Sequence, residues 1–234
     1  VKTNTRVDAI EIDNQQATLH LLNNDKSEII IADKVLVAIG VQANIENIGL
    51  EESGVNIENG WIKTNAFGLT NIPHIYAIGD VSGPPLLAHV ASHQGIIAVE
   101  HLSKLDTHPI KENTVPGCTY STPQVASVGL TERAAIAAGY EVKIGIFPYK
   151  ASGRALAVGA SEGFTKLVFD AKYNQLLGAH IIGSEATEMI AEAGLGLNLE
   201  ITAEELIHTV HAHPTLAEMI MEAALVANDQ SIHI

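Results

Sequence analysis

Thr70-Asn71-Ile72-Pro73-His74-Ile75-Tyr76-Ala77-Ile78-Gly79-Asp80 is the stretch that decides the fold class of this chain. Its polar, proline-containing first half reads as a turn. Its apolar second half reads as a short strand buried on both faces, the pattern of a parallel strand covered by helices. Ligands of open α/β sheets lie beyond the carboxyl ends of such strands, and this one ends in Gly79-Asp80. Gly79 lets a ligand approach the backbone, and Asp80 can accept hydrogen bonds from sugar hydroxyls. After the Gly83-Pro84-Pro85 break a helix is predicted from Leu87 to Leu102. Its first turn aims unpaired N–H groups back toward the same region.

Toward the N-terminus, apolar and polar residues alternate through Val7-Asp8-Ala9-Ile10 and again through Ala17 to Leu22. Asn23-Asn24-Asp25-Lys26 reads as a hairpin turn before a strand at Glu28 to Ile31, and Val35 to Ile39 as a buried strand. Residues 1–40 therefore read as a β-meander. Leu105 to Thr114 is polar, contains Pro109 and reads as a linker. Beyond it, Thr131 caps a helix. Strands are predicted at Val142 to Tyr149, Phe164 to Asp170 and Leu176 to Ile182, with Tyr173-Asn174-Gln175 as a hairpin turn. Ala186, Met189, Ile190, Ala193 and Leu197 make one apolar helical face. Thr202 and Glu205 form a capping box. Strands with helices gathered on one side make an α+β domain.

The octapeptide His211-Ala212-His213-Pro214-Thr215-Leu216-Ala217-Glu218 precedes an apolar helical run, Met219 to Val226. Proline is favoured in a first helical turn, which puts His213 at the helix entrance and Glu218 about one turn inside. A carboxylate there can hold an imidazole in one tautomer and raise its basicity, the pairing used for proton transfer. The plainer reading is a capped surface helix with incidental histidines. His211 and His213 would reach one metal only from extended backbone, and zinc would need two further ligands that no cluster supplies, so no metal is expected. His89 falls at a helix start; His93, four residues on, reads as a solvent-face or packed histidine.

The chain has 234 residues, room for one large or two small domains. Hydrophobic content of 47% with 17% charged residues fits a folded protein and not a disordered one. No apolar run reaches the length of about 18 residues that spans a bilayer. Val1 to Arg6 lacks the apolar centre of a signal peptide. A formal charge of −14 argues against nucleic acid and anionic membranes. It suits a basic protein partner, or solubility alone. The single cysteine, Cys118, rules out an internal disulfide framework, fits a reducing compartment and reads as a small packing residue.

The Gly79-Asp80 segment and the octapeptide, in this order, resemble the flavoprotein pyridine nucleotide-disulfide reductases. The His-Ala-His-Pro-Thr-Leu-Ala-Glu form is similar to the branch that reoxidises dihydrolipoamide. Val35 to Gly40 and Phe147 to Arg154 are also similar, so the resemblance runs along essentially the whole chain. It implies an α/β remnant of the FAD- and NAD-binding domains followed by an α+β dimerisation (interface) domain. The expected boundaries are 1–40 for the end of the NAD-binding domain, 41–110 for the end of the FAD-binding or central domain, and 115–234 for dimerisation. It implies FAD and NAD as cofactors. Asp80 would face the ribityl and pyrophosphate side of FAD, the backbone of Leu86, Leu87, Ala88 and His89 the flavin ring, and the turn at Gly40 the nicotinamide cofactor. His213 would be the catalytic acid/base and Glu218 its partner, reaching into the other subunit of a homodimer. A further implied partner is the acyltransferase of a 2-oxo acid dehydrogenase complex, in a bacterial cytoplasm in preference to a mitochondrial matrix.

The departures are equally plain. The family's paired redox cysteines and its two Gly-x-Gly-x-x-Gly loops are not in this sequence, and Gly194 and Gly196 follow a helical pattern. Val41 and Ala43 stand where relatives often have Arg and Pro. With Val1 as first residue, the expectation is a C-terminal fragment preceded in full-length relatives by roughly as many residues again. Alone it is expected to be inactive and to bind FAD poorly or not at all. Two alternatives stay open: an assembly module without activity of its own, and another disulfide reductase of the glutathione or mercuric type.

Overall fold

The computed structural model describes residues 1–13, 15–24 and 26–234. The chain divides into two compact units, residues 1–44 and residues 45–234.

The first unit is an antiparallel meander of β1 (Thr5–Asp13), β2 (Gln16–Asn23) and β3 (Lys26–Ala32). Ala17 and Leu21 of the central strand are buried, as the two-residue period of a strand requires for one covered face. The turn read at Asn23 to Lys26 includes Asp25, which lies outside the described residues. The strand expected at Val35 to Ile39 does not form. Leu36 and Ile39 are more than nine-tenths exposed, and the segment is irregular. A strand needs a neighbour to take its backbone donors and acceptors, and none lies beside this one among the described residues.

The same physics corrects the reading of Thr70 to Asp80. In place of a parallel strand, Tyr76 makes an isolated bridge with Leu69, and the Ala77 N–H donates to the Gly68 carbonyl at 2.9 Å. Ala77 is buried while Ile78 is exposed, so only one side of the segment is covered. Before it lie a short helix α1 (Leu50–Ser53) and the two-residue strands β4 (Ile57–Glu58) and β5 (Trp61–Ile62). After it come a 3-10 turn over Gly79–Ser82 and helix α2 (Ala88–Leu102), close to the range the sequence predicts.

The rest is built on a five-stranded antiparallel sheet. Its strands are β6 (Gly117–Thr119), β7 (Gln124–Gly129), β8 (Val142–Pro148), β9 (Phe164–Asp170) and β10 (Leu176–Gly183), in the order β6-β7-β10-β9-β8. The helices are α3 (Glu132–Ala137), α4 (Gly153–Ala157), α5 (Ala186–Leu199), α6 (Ala203–His208) and α7 (Glu218–Ala227). Leu167 and Phe169 of β9 face a core shared with α5, α6 and α7. Val168 between them faces the other side, where it packs with Leu177 and with Ala135 of α3. The helices are therefore not all on one side: α3 covers the second face, capped by the Thr131 hydroxyl that accepts the Ala134 N–H at 3.1 Å. The capping box at Thr202 and Glu205 forms as its spacing requires.

Helix α7 sits directly on β8. A Cβ added at Gly145 would collide with the Ala223 carbonyl, so only glycine permits this approach. The helix begins at Glu218 and not at Pro214. Residues between Thr209 and Ala217 are irregular because their polar groups bond locally: the Thr215 hydroxyl donates to the Ala212 carbonyl, and the Thr215 N–H donates to the Glu218 carboxylate. No helix among the described residues is long and apolar enough to cross a membrane.

Candidate active site

His213 and Glu218 meet as their spacing implies, by a different local structure. His213 lies in the irregular segment ahead of α7, and Glu218 is the first residue of the helix. The His213 Nδ1 stands 2.8 Å from Glu218 Oε1, and Glu218 Oε2 accepts the Thr215 N–H at 2.8 Å. A carboxylate can only accept, so Nδ1 carries the proton and Nε2 is left with a free lone pair. The imidazole is 79% exposed and the carboxylate 26%. The imidazole is thus oriented from behind and open in front.

Partial burial pushes the Glu218 carboxyl up. The Thr215 N–H, the hydrogen bond and charge of His213, and the charge of His211 pull it down, and the net result lies below its ordinary value. Glu218 therefore stays ionised where an imidazole titrates, which stabilises the imidazolium formed on proton uptake.

His211 has a different part. Its Nδ1 stands 3.0 Å from the Thr209 carbonyl, and its Nε2 stands 2.7 Å from Glu192 Oε1 on α5. Both nitrogens face acceptors and the ring is 5% exposed. With no nitrogen free it cannot serve as a base; it ties the segment ahead of His213 to α5.

A cavity of about 130 Å³ adjoins the pair, lined by Phe147, Arg154, His213, Glu218, Glu222 and His233 among others. A larger cavity of about 740 Å³ lies elsewhere, between α2 and residues 106–116, and includes His89 and His93. No histidine–carboxylate ion pair forms among its described lining residues, whereas the smaller cavity holds two. The octapeptide did not point to Glu222 or His233. The i, i+4 spacing of Glu218 and Glu222 was the available signal, since it sets both carboxylates on one helix face.

The residues expected at FAD lie around the start of α2. Asp80 is exposed in the 3-10 turn. Leu87 is the residue before α2 and supplies no side-chain cap, which leaves the N–H groups of Ala88 and His89 without intrahelical partners. Gly79 has φ of +72°, and its N–H donates to Gln94 Oε1 at 2.7 Å, which fixes the turn against α2. An exposed carboxylate beside an uncapped helix start suits the hydroxyl and carbonyl groups of a flavin dinucleotide at one end. Leu86 and Leu87 are half-buried, and the His89 Nε2 is 3.0 Å from the Pro116 carbonyl, so only the backbone of His89 is available. Gly40 belongs to the other unit. It has φ of +112°, and a Cβ there would meet nothing within 4 Å. Among the described residues no three His, Cys, Asp or Glu side chains group as metal ligands. Cys118 is a free thiol on β6, pushed above its ordinary range first by burial and then by the charge of Glu188.

The profile of the pyridine nucleotide-disulphide oxidoreductase dimerisation domain matches residues 115–224, and that of the pyridine nucleotide-disulphide oxidoreductase domain matches residues 1–95. The chain is similar to dihydrolipoyl dehydrogenase of Bacillus subtilis, 54% identical over 86% of this chain and 43% of that protein. It is likewise similar to dihydrolipoyl dehydrogenase of Zymomonas mobilis, 52% identical over 85% of this chain and 43% of that protein. Among solved structures it resembles LpdA of Mycobacterium tuberculosis, with a TM-score of 0.87 at 26% identity, over 94% of this chain and 48% of that one. The chain spans about half the length of the curated relatives it matches. Its two domain matches, which together span most of its length, identify it: the chain belongs to the pyridine nucleotide-disulphide oxidoreductase family.

Proposed function

We propose that this chain is the C-terminal portion of a dihydrolipoyl dehydrogenase, in which it supplies the His213–Glu218 acid/base pair and the dimer interface. The observation that carries the reading is the hydrogen bond from His213 Nδ1–H to Glu218, which leaves Nε2 exposed to a group brought by another molecule. The names and identities of the relatives support the substrate.

Dihydrolipoamide carries two thiols with pKa near 8.5, mostly protonated at pH 7. The thiolate is the form that attacks a disulfide. His213 Nε2 takes the thiol proton, and Glu218 stabilises the resulting imidazolium through Nδ1–H. Such a base contributes about 10² to 10⁴ in rate. The redox cysteines it serves are not in this chain, whose single cysteine has no second thiol to pair with. The chemistry that bound FAD would supply is electron transfer between the sulfur centre and NAD. Here Asp80 and the backbone of Leu86 to His89 would hold one end of it, with Gly40 on the nucleotide side of the first unit.

By this reading residues 1–40 and 41–110 end the NAD- and FAD-binding domains, and residues 115–234 make the homodimer. The dimerisation profile over 115–224 supports that last role. The same domain also docks the acyltransferase of a 2-oxo acid dehydrogenase complex in this reading, and the formal charge of −14 favours a basic docking segment. The bacterial relatives favour the cytoplasm as setting. The test is substrate choice in the full-length flavoenzyme carrying this segment: NAD-linked turnover of dihydrolipoamide is expected. Turnover of glutathione disulfide or mercuric ion without dihydrolipoamide activity would contradict the reading.

A further inference from the structure

Glu218 and Glu222 lie one turn apart on α7, and each holds an imidazole from a segment flanking the helix. His213 comes from before the helix. His233 comes from after it, and its Nδ1 stands 2.6 Å from Glu222 Oε1. All four side chains line the same 130 Å³ cavity, with Arg154 as the other charged group. The two carboxylates differ in burial. Glu222 is 5% exposed, and its second oxygen is buried with no hydrogen-bond partner among the described residues. A buried carboxylate with one partner depends heavily on it, because the remaining oxygen is shielded and has no donor among the described residues. The partner, His233, is itself 59% exposed. Since the carboxylate only accepts, His233 donates from Nδ1 and its ring closes one side of the cavity.

We propose that His233 is a positioning residue for the thiol chemistry of this family: by holding Glu222 it fixes the face of α7 that carries Glu218, and it walls the cavity beside His213. This rests on the role proposed above for His213. Ala223, next to Glu222, is the residue against which Gly145 of β8 packs without clearance. A rotation of the helix at Glu222 therefore cannot be absorbed by sliding on the sheet, and it is passed along to Glu218 one turn away.

The test uses the full-length dimeric flavoenzyme and rapid-mixing measurement of two half-reactions: reduction by dihydrolipoamide, and NADH oxidation by a dye that bypasses the thiols. His233→Ala should slow the dihydrolipoamide half-reaction about tenfold, as a small misplacement of a catalytic group does. The dye reaction should be unchanged. His233→Asn, whose amide N–H can stand near the lost Nδ1–H, should restore most of the rate. If His233→Ala fails to fold, His233→Phe fills the space without the donor and carries the same expectation. A dihydrolipoamide half-reaction within twofold of the parent, while His213→Gln slows it, would overturn the role of His233 and leave that of His213 intact. Equal loss in both half-reactions would reduce His233 to a folding contact and overturn the proposal. A normal dihydrolipoamide half-reaction in His213→Gln would remove the proposed function together with this inference.

Discussion

Glu218 holds His213 through one carboxylate oxygen and the N–H of Thr215 through the other, both at 2.8 Å. The imidazole is thus tied to the start of α7 by a residue that is itself tied to the loop. The ring's orientation comes from this closed arrangement and not from burial, since the ring is largely exposed.

Glu218→Gln keeps the shape of the pair but removes the charge and allows an amide N–H to face Nδ1. In the full-length enzyme it is expected to lower the dihydrolipoamide rate by about 10²-fold, the low end for losing an oriented acid/base group. Dye-linked NADH oxidation should change little. Comparing the two steady-state rates checks it.

Acid stability has a definite sign. Glu218 lies below its ordinary carboxyl value in the folded chain. Glu205 does too, through the Thr202 hydroxyl first and the Thr202 N–H second. The folded state then binds these protons less readily than the unfolded one, so their stabilisation is complete above the ordinary carboxyl range. It is lost as pH falls through the depressed values. His180 is pushed below 6.5 mainly by burial; the Leu130 carbonyl opposes this and Lys166 adds to it. A lowered imidazole has the same sign with a higher onset: stability begins to fall as pH drops past about 6.5. Denaturant midpoints measured from pH 8 to pH 3 should decline in two stages. His180→Gln should remove the first, and Glu218→Gln should weaken the second.

Much of the second unit was legible because its signals are local. The Thr131 cap, the Thr202–Glu205 box, the apolar face of α5 and the β9–β10 hairpin each depend on neighbours close in sequence, and β8 reads from its own apolar pattern. By contrast β6 and β7, which join the sheet through the pairing of β7 with the distant β10, were not read. Val35 to Ile39 and Ile75 to Ile78 carry strand-like composition, yet a strand is completed by partners: Val35 to Ile39 has none beside it among the described residues, and Ile75 to Ile78 has only the isolated bridge of Tyr76 with Leu69. The start of α7 was misread because Pro214 is a general helix-start signal, whereas the Thr215–Glu218 bond delays the helix. The partnership of His213 with Glu218 was readable from spacing. That of His233 with Glu222 was not, because it depends on how the segment after α7 folds back.

Gly145→Ala is expected to destabilise the chain by about 2 kcal/mol or more, since the added methyl meets the Ala223 carbonyl and a packed core gives way poorly. Thermal unfolding of the variant against the parent chain checks this. Gly153→Ala, where a Cβ would meet nothing within 4 Å, is expected to have little effect and serves as the control.

Sedimentation should find the purified chain at twice its monomer mass if residues 115–234 carry the homodimer interface. Leu195, Leu199 and Val210 in this segment are more than 60% exposed, apolar surface of the kind that association covers. A concentration-independent monomer would contradict the proposed interface.

The most direct measurement is His213→Gln in the full-length flavoenzyme, with both half-reactions followed by stopped flow. The account predicts that reduction by dihydrolipoamide slows by about 10² to 10⁴ while hydride exchange with NAD is nearly unaffected. Equal slowing of the two, or no slowing of the first, would contradict the assignment of His213 as the proton acceptor.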